Sequence, residues 1–404
     1  MLNYLKKIFV AKKSYNYLDN FYFADDFGKS KAGAESYKTN VIVNRCVNII
    51  SQSASHVPWL IMKKTSKGFE RLPSHYINKL LKRPSPLKAG AEFFSEIIAN
   101  KLLFGNSYIL AVNGCGKSSV PHELYSLNPS AVEILNINGA TTGYKYSIEG
   151  NNKHYDKVYA IDSVSKQSQI LHIKNYNPTN NIYGLSCIES AGSLIDLHNR
   201  ATQWNYTLLK NGARPSGALV VGSGGNLTQE QFDRLKGELQ EKYYGSSNAG
   251  KPMLLEGGLD WKEMSITPKD MDFIESKNSA AREIALAFGV PPQLLGINGD
   301  NTYSNMQEAR LALWEENIIP LLDKYADALS SWLSYWYKED LTIDFDKESI
   351  SVLTERRENV WAKIASADFM TINEKRAIVG LTPIKGMDKI SINLTGERNE
   401  RNGE

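Results

Sequence analysis

Residues 183–217 read YGLSCIESAGSLIDLHNRATQWNYTLLKNGARPSG, and the organisation of the whole chain turns on them. Ser186-x-x-Glu189 at their start is a capping box, in which the two side chains satisfy reciprocal backbone donors. Asn211-Gly212 at their end is a helix stop. The stretch between predicts one helix of some 25 residues, roughly 38 Å long at 1.5 Å per residue. The next segment is compact: strand Ala218–Val221, the turn GSGG, a helix in TQEQFDRLKGELQEKYYG, and a strand in KPMLLEGG leading into Trp261. A second long helix opens at Thr267-Pro268, with proline at the first helical position and Asp270 where the helix dipole favours an acid. It stops at Phe288-Gly289, ahead of Pro291-Pro292. Two long helices thus bracket a small α/β insert.

Outward toward the C-terminus, the polar loop GINGDNTYSN leads to Ser304-x-x-Gln307, another capping box. It opens NMQEARLALWEENIIPLLDKYADALSSWLSYW, which Pro320 should kink. Trp314, Tyr325, Trp332 and Trp336 on this helix could stack on nucleic acid, but aromatics at helical spacing read first as core or interface. Asp344 and Asp346 alternate with Ile343 and Phe345, the mark of a half-buried strand rather than a Mg²⁺ pair.

Outward toward the N-terminus, Val41, Cys46, Ile49, Ile50 and Ala54 recur at helical spacing until Val57-Pro58. Strand Trp59–Lys63 comes next, then helices in SHYINKLLKRPSP and AEFFSEIIANKLLFG, the second closed by Gly105. Short strands with turn punctuation fill residues up to Pro178, an antiparallel region. The first half is α+β.

GCGKSS, residues 114–119, resembles the end of a phosphate-binding loop. That loop needs a first glycine where Ala111 stands, and a helix after it; Pro121 and VPHELYSL read as a strand. The expected structure is a hairpin of Ser107–Val112 and Glu123–Leu127. A nucleotide-hydrolysing enzyme would also need an acidic Mg²⁺ partner, which the pattern lacks. ATP turnover lost in Lys117→Ala would revive it.

Of 404 residues, 42% are hydrophobic and 23% charged, as in a soluble globular protein of two or three domains. Lys plus Arg number 47 and Asp plus Glu 44, so there is no global basic field and any nucleic-acid contact must be local. Cys46, Cys115 and Cys187 form no CxxC pair. His56, His75, His122, His154, His172 and His198 have no partner at metal or triad spacing, so neither a metal nor a cofactor is expected. Lys6 and Lys7 interrupt the apolar N-terminus, and no long apolar run occurs later, so neither secretion nor a membrane span is indicated. The N-terminus reads as a flexible or docking arm and TGERNERNGE as a frayed end.

The order of NGARPSG, GKPMLLEGGLDW, PKDMDFIESKNSAAREIALAFGVPPQLLG, TYSNMQEA and TINEKRAIVGLTPIKG resembles the tailed-phage portal proteins of the HK97 type, over about Asn40 to Gly386. The resemblance implies an α+β portal fold: arm 1–37, wing 38–182, stem helix 183–212, clip 213–264, stem helix 265–290, tunnel-loop region 291–304, wing 305–345, and a short helical crown with tail 346–404. It implies a homo-oligomeric ring, a dodecamer, at one capsid vertex of a virion assembled in the host cytoplasm. Double-stranded DNA is packaged and ejected through it. The partners implied are the large terminase subunit, which would supply the energy for pumping, the major capsid protein and a head–tail adaptor, with no enzyme activity of the ring's own. A prophage or gene-transfer particle would have the same portal physics.

The resemblance also implies two sites. Ile297, Asn298, Gly299, Asp300, Asn301, Thr302 and Tyr303 match the tunnel loop facing DNA. This loop has no Lys or Arg, which suits sliding, because each neutralised phosphate steepens salt-sensitive binding by about 0.9 in log–log slope. The clip helix carries Arg234, Lys236, Glu238, Glu241 and Lys242, a mixed-charge face that is either simply solvated or a docking face for terminase and adaptor.

Overall fold

The computed structural model describes residues 32–65, 68–113, 120–137, 139–150, 153–210, 217–221, 228–242, 259–263, 273–297, 303–367, 369–379 and 383–388. Helices α1 (Ala32–Thr39) and α2 (Val41–Ser55) meet at Asn40. The side-chain carbonyl oxygen of Asn40 accepts from the Ile42 and Val43 amides at 3.0 and 3.1 Å, the N-cap that starts α2. α1 lies inside the stretch assigned to a flexible arm: Tyr37 packs against the core and its hydroxyl donates to Asn48 at 2.9 Å, so order begins earlier than the boundary at residue 37. α2 buries Val43, Cys46, Val47, Ile50 and Ala54. Val41, expected on that face, is 69% exposed, because it sits on the first turn away from this stripe.

Strand β1 (Trp59–Thr65) is the middle of a three-stranded sheet, between β2 (Gly68–Arg71) and β11 (Leu341–Phe345) from the far end of the chain. The β1–β11 ladder is antiparallel and sets Trp59 opposite Phe345 and Ile61 opposite Ile343. Its inward positions alternate with half-buried ones along β11, which is where Asp344 lies; Asp346 caps a 3₁₀ turn through the Glu348 amide. The expected half-buried strand is what forms there.

α3 (Tyr76–Lys82) and α4 (Gly90–Phe104) come next, and α4 ends at Gly105 with φ 70°. A side chain at Gly105 would lie 2.4 Å from the Gly184 carbonyl oxygen, so only glycine lets the two segments touch. β3 (Asn106–Asn113), β4 (Pro121–Leu127) and β8 (Ile170–Lys174) form a second sheet in the order β4-β3-β8. β3 and β4 pair antiparallel from Tyr108–Leu127 to Asn113–Pro121. GCGKSS itself lies outside the described residues, but a strand rather than a helix succeeds it, which removes the helix N-terminus a phosphate loop requires. β5 (Val132–Ile137), β6 (Ala140–Gly150) and β7 (Lys153–Ala160) make a third antiparallel sheet over a small core of Tyr108, Ile134, Tyr144, Tyr159 and Ile170.

α5 (Cys187–Lys210) is the long helix, and Ser186 caps it by accepting from the Glu189 amide at 3.0 Å. β9 (Gly217–Val221), α6 (Gln229–Lys242) and β10 (Leu259–Glu263) make up the insert; β9 and β10 pair antiparallel, with Trp261 opposite Leu219. The strand expected in KPMLLEGG falls on residues outside the described ones, and β10 begins after it. α7 (Phe273–Ala287) is the second long helix; its expected start at Thr267-Pro268 also lies outside the described residues.

α8 (Tyr303–Ala312) begins one residue before Ser304, so Ser304 lies within the helix rather than at the N-cap position the expected capping box gave it. It runs into a π-helical segment, Leu313–Ile318, and then α9 (Ile319–Tyr337), where Pro320 is in the first turn. Proline removes one amide and crowds the preceding turn, and the wider π turn just before it accommodates both. Tyr325 and Trp332 are buried on α9: the Tyr325 hydroxyl donates to the Ile97 carbonyl at 3.0 Å and the Trp332 indole to the Ser168 carbonyl at 2.9 Å. The aromatics of this helix are core, as their spacing suggests. α10 (Thr354–Ala365) and α11 (Ile372–Ile378) are the last two helices described, and α11 carries a full capping box between Thr371 and Glu374.

Candidate functional site

α5 and α7 pack side by side. On α5, Ile188, Ala191, Ile195, His198 and Ala201 are buried at spacings of three and four, and α7 answers with Ala280, Ala281, Ile284 and Ala285, with Phe288 just beyond its end. The alanines let the two backbones come close. Burial then runs out toward the insert: Trp204 is 45% and Tyr206 61% exposed near the end of α5, and Ile274 is 77% exposed at the start of α7. These are large apolar side chains that reach solvent.

The base of this pair is pinned by polar contacts. Asn40 donates to Asn199 at 2.9 Å and faces the His198 ring nitrogen at 3.3 Å, which ties the start of α2 to α5. Burial, and then the Lys277 charge on α7, lower the His198 pKa. His172 behaves likewise: it stacks on Tyr108 at 4.5 Å, contacts Asn106 at 3.0 Å, and burial pushes it down to about 3.

The segment that follows α7 turns a corner held by hydrogen bonds. Gly289 ends α7 with φ 66°, and Asn317 in the π segment donates to the Phe288 and Gly289 carbonyls at 2.7 and 3.0 Å. A 3₁₀ turn, Pro292–Leu295, and Gly296 at φ 74° come next. Ile297 is buried and Tyr303 is the first residue of α8, so both ends of the loop are fixed by structure around them. Asn298, Gly299, Asp300, Asn301 and Thr302 lie outside the described residues.

In the insert, Thr228 and Gln231 make a reciprocal cap at 3.0 and 3.4 Å, a Thr-x-x-Gln signal that the sequence carries and that charge patterning alone does not bring out. Residues 228–234 of this element are all exposed, including Phe232 at 53%. Arg234 is exposed, and so is Lys236 two residues on. Glu238, Glu241 and Lys242 continue the helix, their side chains outside what the structure describes. A helix whose first turns have no buried side can be stabilised by a partner surface. Among the described residues no cluster of His, Cys, Asp and Glu could hold a metal ion, and no helix is long and apolar enough to cross a membrane.

The chain belongs to the phage portal protein family, whose model matches residues 41–380. The portal protein of Enterobacteria phage HK97 is 24% identical over 361 residues, covering 85% of this chain and 79% of that protein. A protein of Rickettsia felis is 58% identical over 96% of this chain and 99% of its own. Among solved structures, the neck of a native gene transfer agent particle computed with C12 symmetry has a subunit 37% identical, with TM-score 0.65, covering 88% of this chain and 94% of that one. Family and neighbours carry portal function with them, and the fold is the mixed helix-and-sheet portal fold.

Proposed function

We propose that the chain assembles into a ring of twelve at one vertex of a virion or gene-transfer-type particle, and that double-stranded DNA enters and leaves through its channel. The observation that carries this is the pair α5 and α7 with apolar side chains exposed toward the insert, in a chain of the portal family. A heterologous interface repeated around an axis buries such residues and closes on itself. The C12 symmetry of the similar particle neck supports twelve copies. The wing comprises α1 to β8 with α8, α9 and β11, the stem α5 and α7, the clip β9 to β10, and the crown α10 and α11.

In this reading the ring is a conduit without chemistry of its own. The clip, with Arg234, Lys236, Glu238, Glu241 and Lys242, receives the large terminase subunit during packaging and the head–tail adaptor afterwards. The wing meets the major capsid protein. The loop from Ile297 to Tyr303 approaches the DNA, its uncharged and acidic residues letting the duplex slide. Assembly takes place in the host cytoplasm. Light scattering and negative-stain imaging of the purified chain test it: a discrete ring is expected, and a stable 45.2 kDa monomer at every concentration and salt would refute it.

A further inference from the structure

Between the end of α3 and the start of α4, Lys79, Lys82, Arg83 and Lys88 surround an open cavity of about 500 Å³, with Pro86 and Leu87 beside them. No carboxylate lines it. Lys88 is paired with Glu96 on α4, whereas Lys79 and Lys82 have no ion-pair partner among the described residues. Leu87 is 85% exposed, an apolar side chain standing in water at a basic rim. Ala89, the N-cap of α4, also lines the cavity and offers no side chain to the first amides of that helix, so its positive end is uncapped.

Cations around an exposed leucine match an acidic peptide with apolar anchors better than a phosphate backbone, which would make no use of Leu87. The chain contains such a peptide. Residues 18–27 read LDNFYFADDF, with Asp19, Asp25 and Asp26 among aromatic residues and no Lys or Arg. The chain can reach: Gly33 in α1 touches Leu103 at the far end of α4, where an added side-chain carbon would lie 2.7 Å from the Leu103 carbonyl oxygen. Along α4 back to the cavity is about 21 Å. Asp25 stands eight residues before Gly33 and Asp19 fourteen, spans of up to about 26 and 46 Å when extended.

We propose that residues 18–27 of the same chain dock into the basic cavity between α3 and α4, with the aspartates on Lys79, Lys82 and Arg83 and an aromatic side chain against Leu87. The arm would then fold back over the wing, which fixes where the N-terminus leaves the subunit. The assignment does not depend on the ring.

Carbodiimide cross-linking of the full-length chain, read by mass spectrometry, tests it. Cross-links from Asp19, Asp25 or Asp26 to Lys79, Lys82 or Lys88 are expected. Read at Lys88, the amine that the variant keeps, K79E/K82E/R83E should lower the cross-link yield roughly tenfold, the combined effect of three ordinary surface ion pairs. Adding D19K/D25K/D26K to that variant should restore cross-links with reversed polarity. Absence of these cross-links in the wild-type chain overturns the proposal. In an equal mixture of ¹⁵N-labelled and unlabelled chains, cross-links of mixed isotope would move the arm to a neighbouring copy and overturn the same-chain assignment. Weaker binding of a short DNA duplex by K79E/K82E/R83E with an unchanged cross-link yield at Lys88 would overturn the proposal and assign the cavity to phosphates instead.

Discussion

The corner between α7 and the tunnel loop invites a double-mutant cycle. A β-carbon on Gly289 would lie 2.6 Å from the Asn317 amide nitrogen, so Gly289→Ala must both hold alanine at φ 66° and push that amide off the Phe288 and Gly289 carbonyls. The left-handed conformation costs about 1–2 kcal/mol for a residue with a side chain. The two lost hydrogen bonds add about 1–2 kcal/mol together. Gly289→Ala should therefore destabilise the corner by about 2–4 kcal/mol and Asn317→Ala by about 1–2 kcal/mol. The β-carbon of Asn317 is 3.9 Å from the new methyl position, ordinary contact, so in the Asn317→Ala background Gly289→Ala should cost only the conformational part. The expected coupling is about 1–2 kcal/mol. Hydrogen exchange at the Val290 amide, which donates to the Ala285 carbonyl at 2.9 Å, reads the local opening free energy without assuming that the whole chain unfolds in one step. Costs that add to within about 0.5 kcal/mol would refute the link between the glycine and the asparagine.

Replacing Asn298 and Asn301 by Lys would add two charges per subunit, roughly two dozen in a twelve-fold ring, and should leave assembly intact but slow packaging, with the defect easing as salt rises; identical packaged-length curves at two salt concentrations would take this loop off the channel. Arg234→Glu with Lys236→Glu should preserve the ring and weaken terminase docking in a pull-down, and normal packaging would remove both from that interface. Lys101 is buried on α4, where burial and then the Lys324 charge lower its pKa to about 8 from 10.5. The unfolded chain keeps that proton longer, so stability should rise with pH from about 8 to 10.5; Lys101→Met should abolish the rise and raise stability at pH 7 by about 3 kcal/mol, checked by thermal midpoints across that range.

The features legible in the sequence are those that local chemistry specifies. Ser186-x-x-Glu189 places the start of α5 closely because a cap acts over a single turn, while the expected stop at Asn211-Gly212 lies outside the described residues. The hairpin of β3 and β4 and the stop at Gly289 are local in the same sense. The Asn317 contact with Gly289 crosses 28 residues, and no periodicity announces it. The π segment before Pro320 is legible only as a disturbance, since a proline says that the ladder breaks and not how it is repaired. α1 escapes a reading by pattern because AGAESYKT has almost no apolar stripe and is held by what it packs against. The two proposed sites differ in kind. The clip face could be read from charge on an exposed helix, whereas the proposed tunnel loop rests on its place between two helices, and only its ends, Ile297 and Tyr303, are described.

The pairing of Trp59 with Phe345 sets a clock on synthesis. At ordinary translation rates of about 5–20 residues per second, β1 emerges roughly 15–60 seconds before β11 can join it. During that interval the inner faces of α2 and α4 lack α9, whose Tyr325 and Trp332 are needed to close them. α5, the insert from β9 to β10, and α7 lie between, so they leave the ribosome before β11 can close on β1. A chain cut short between residues 287 and 341 therefore carries α5 and α7, with their exposed apolar side chains, but no closed β1–β11 ladder to complete the core beneath them. Closure of that ladder marks a chain translated at least as far as Phe345.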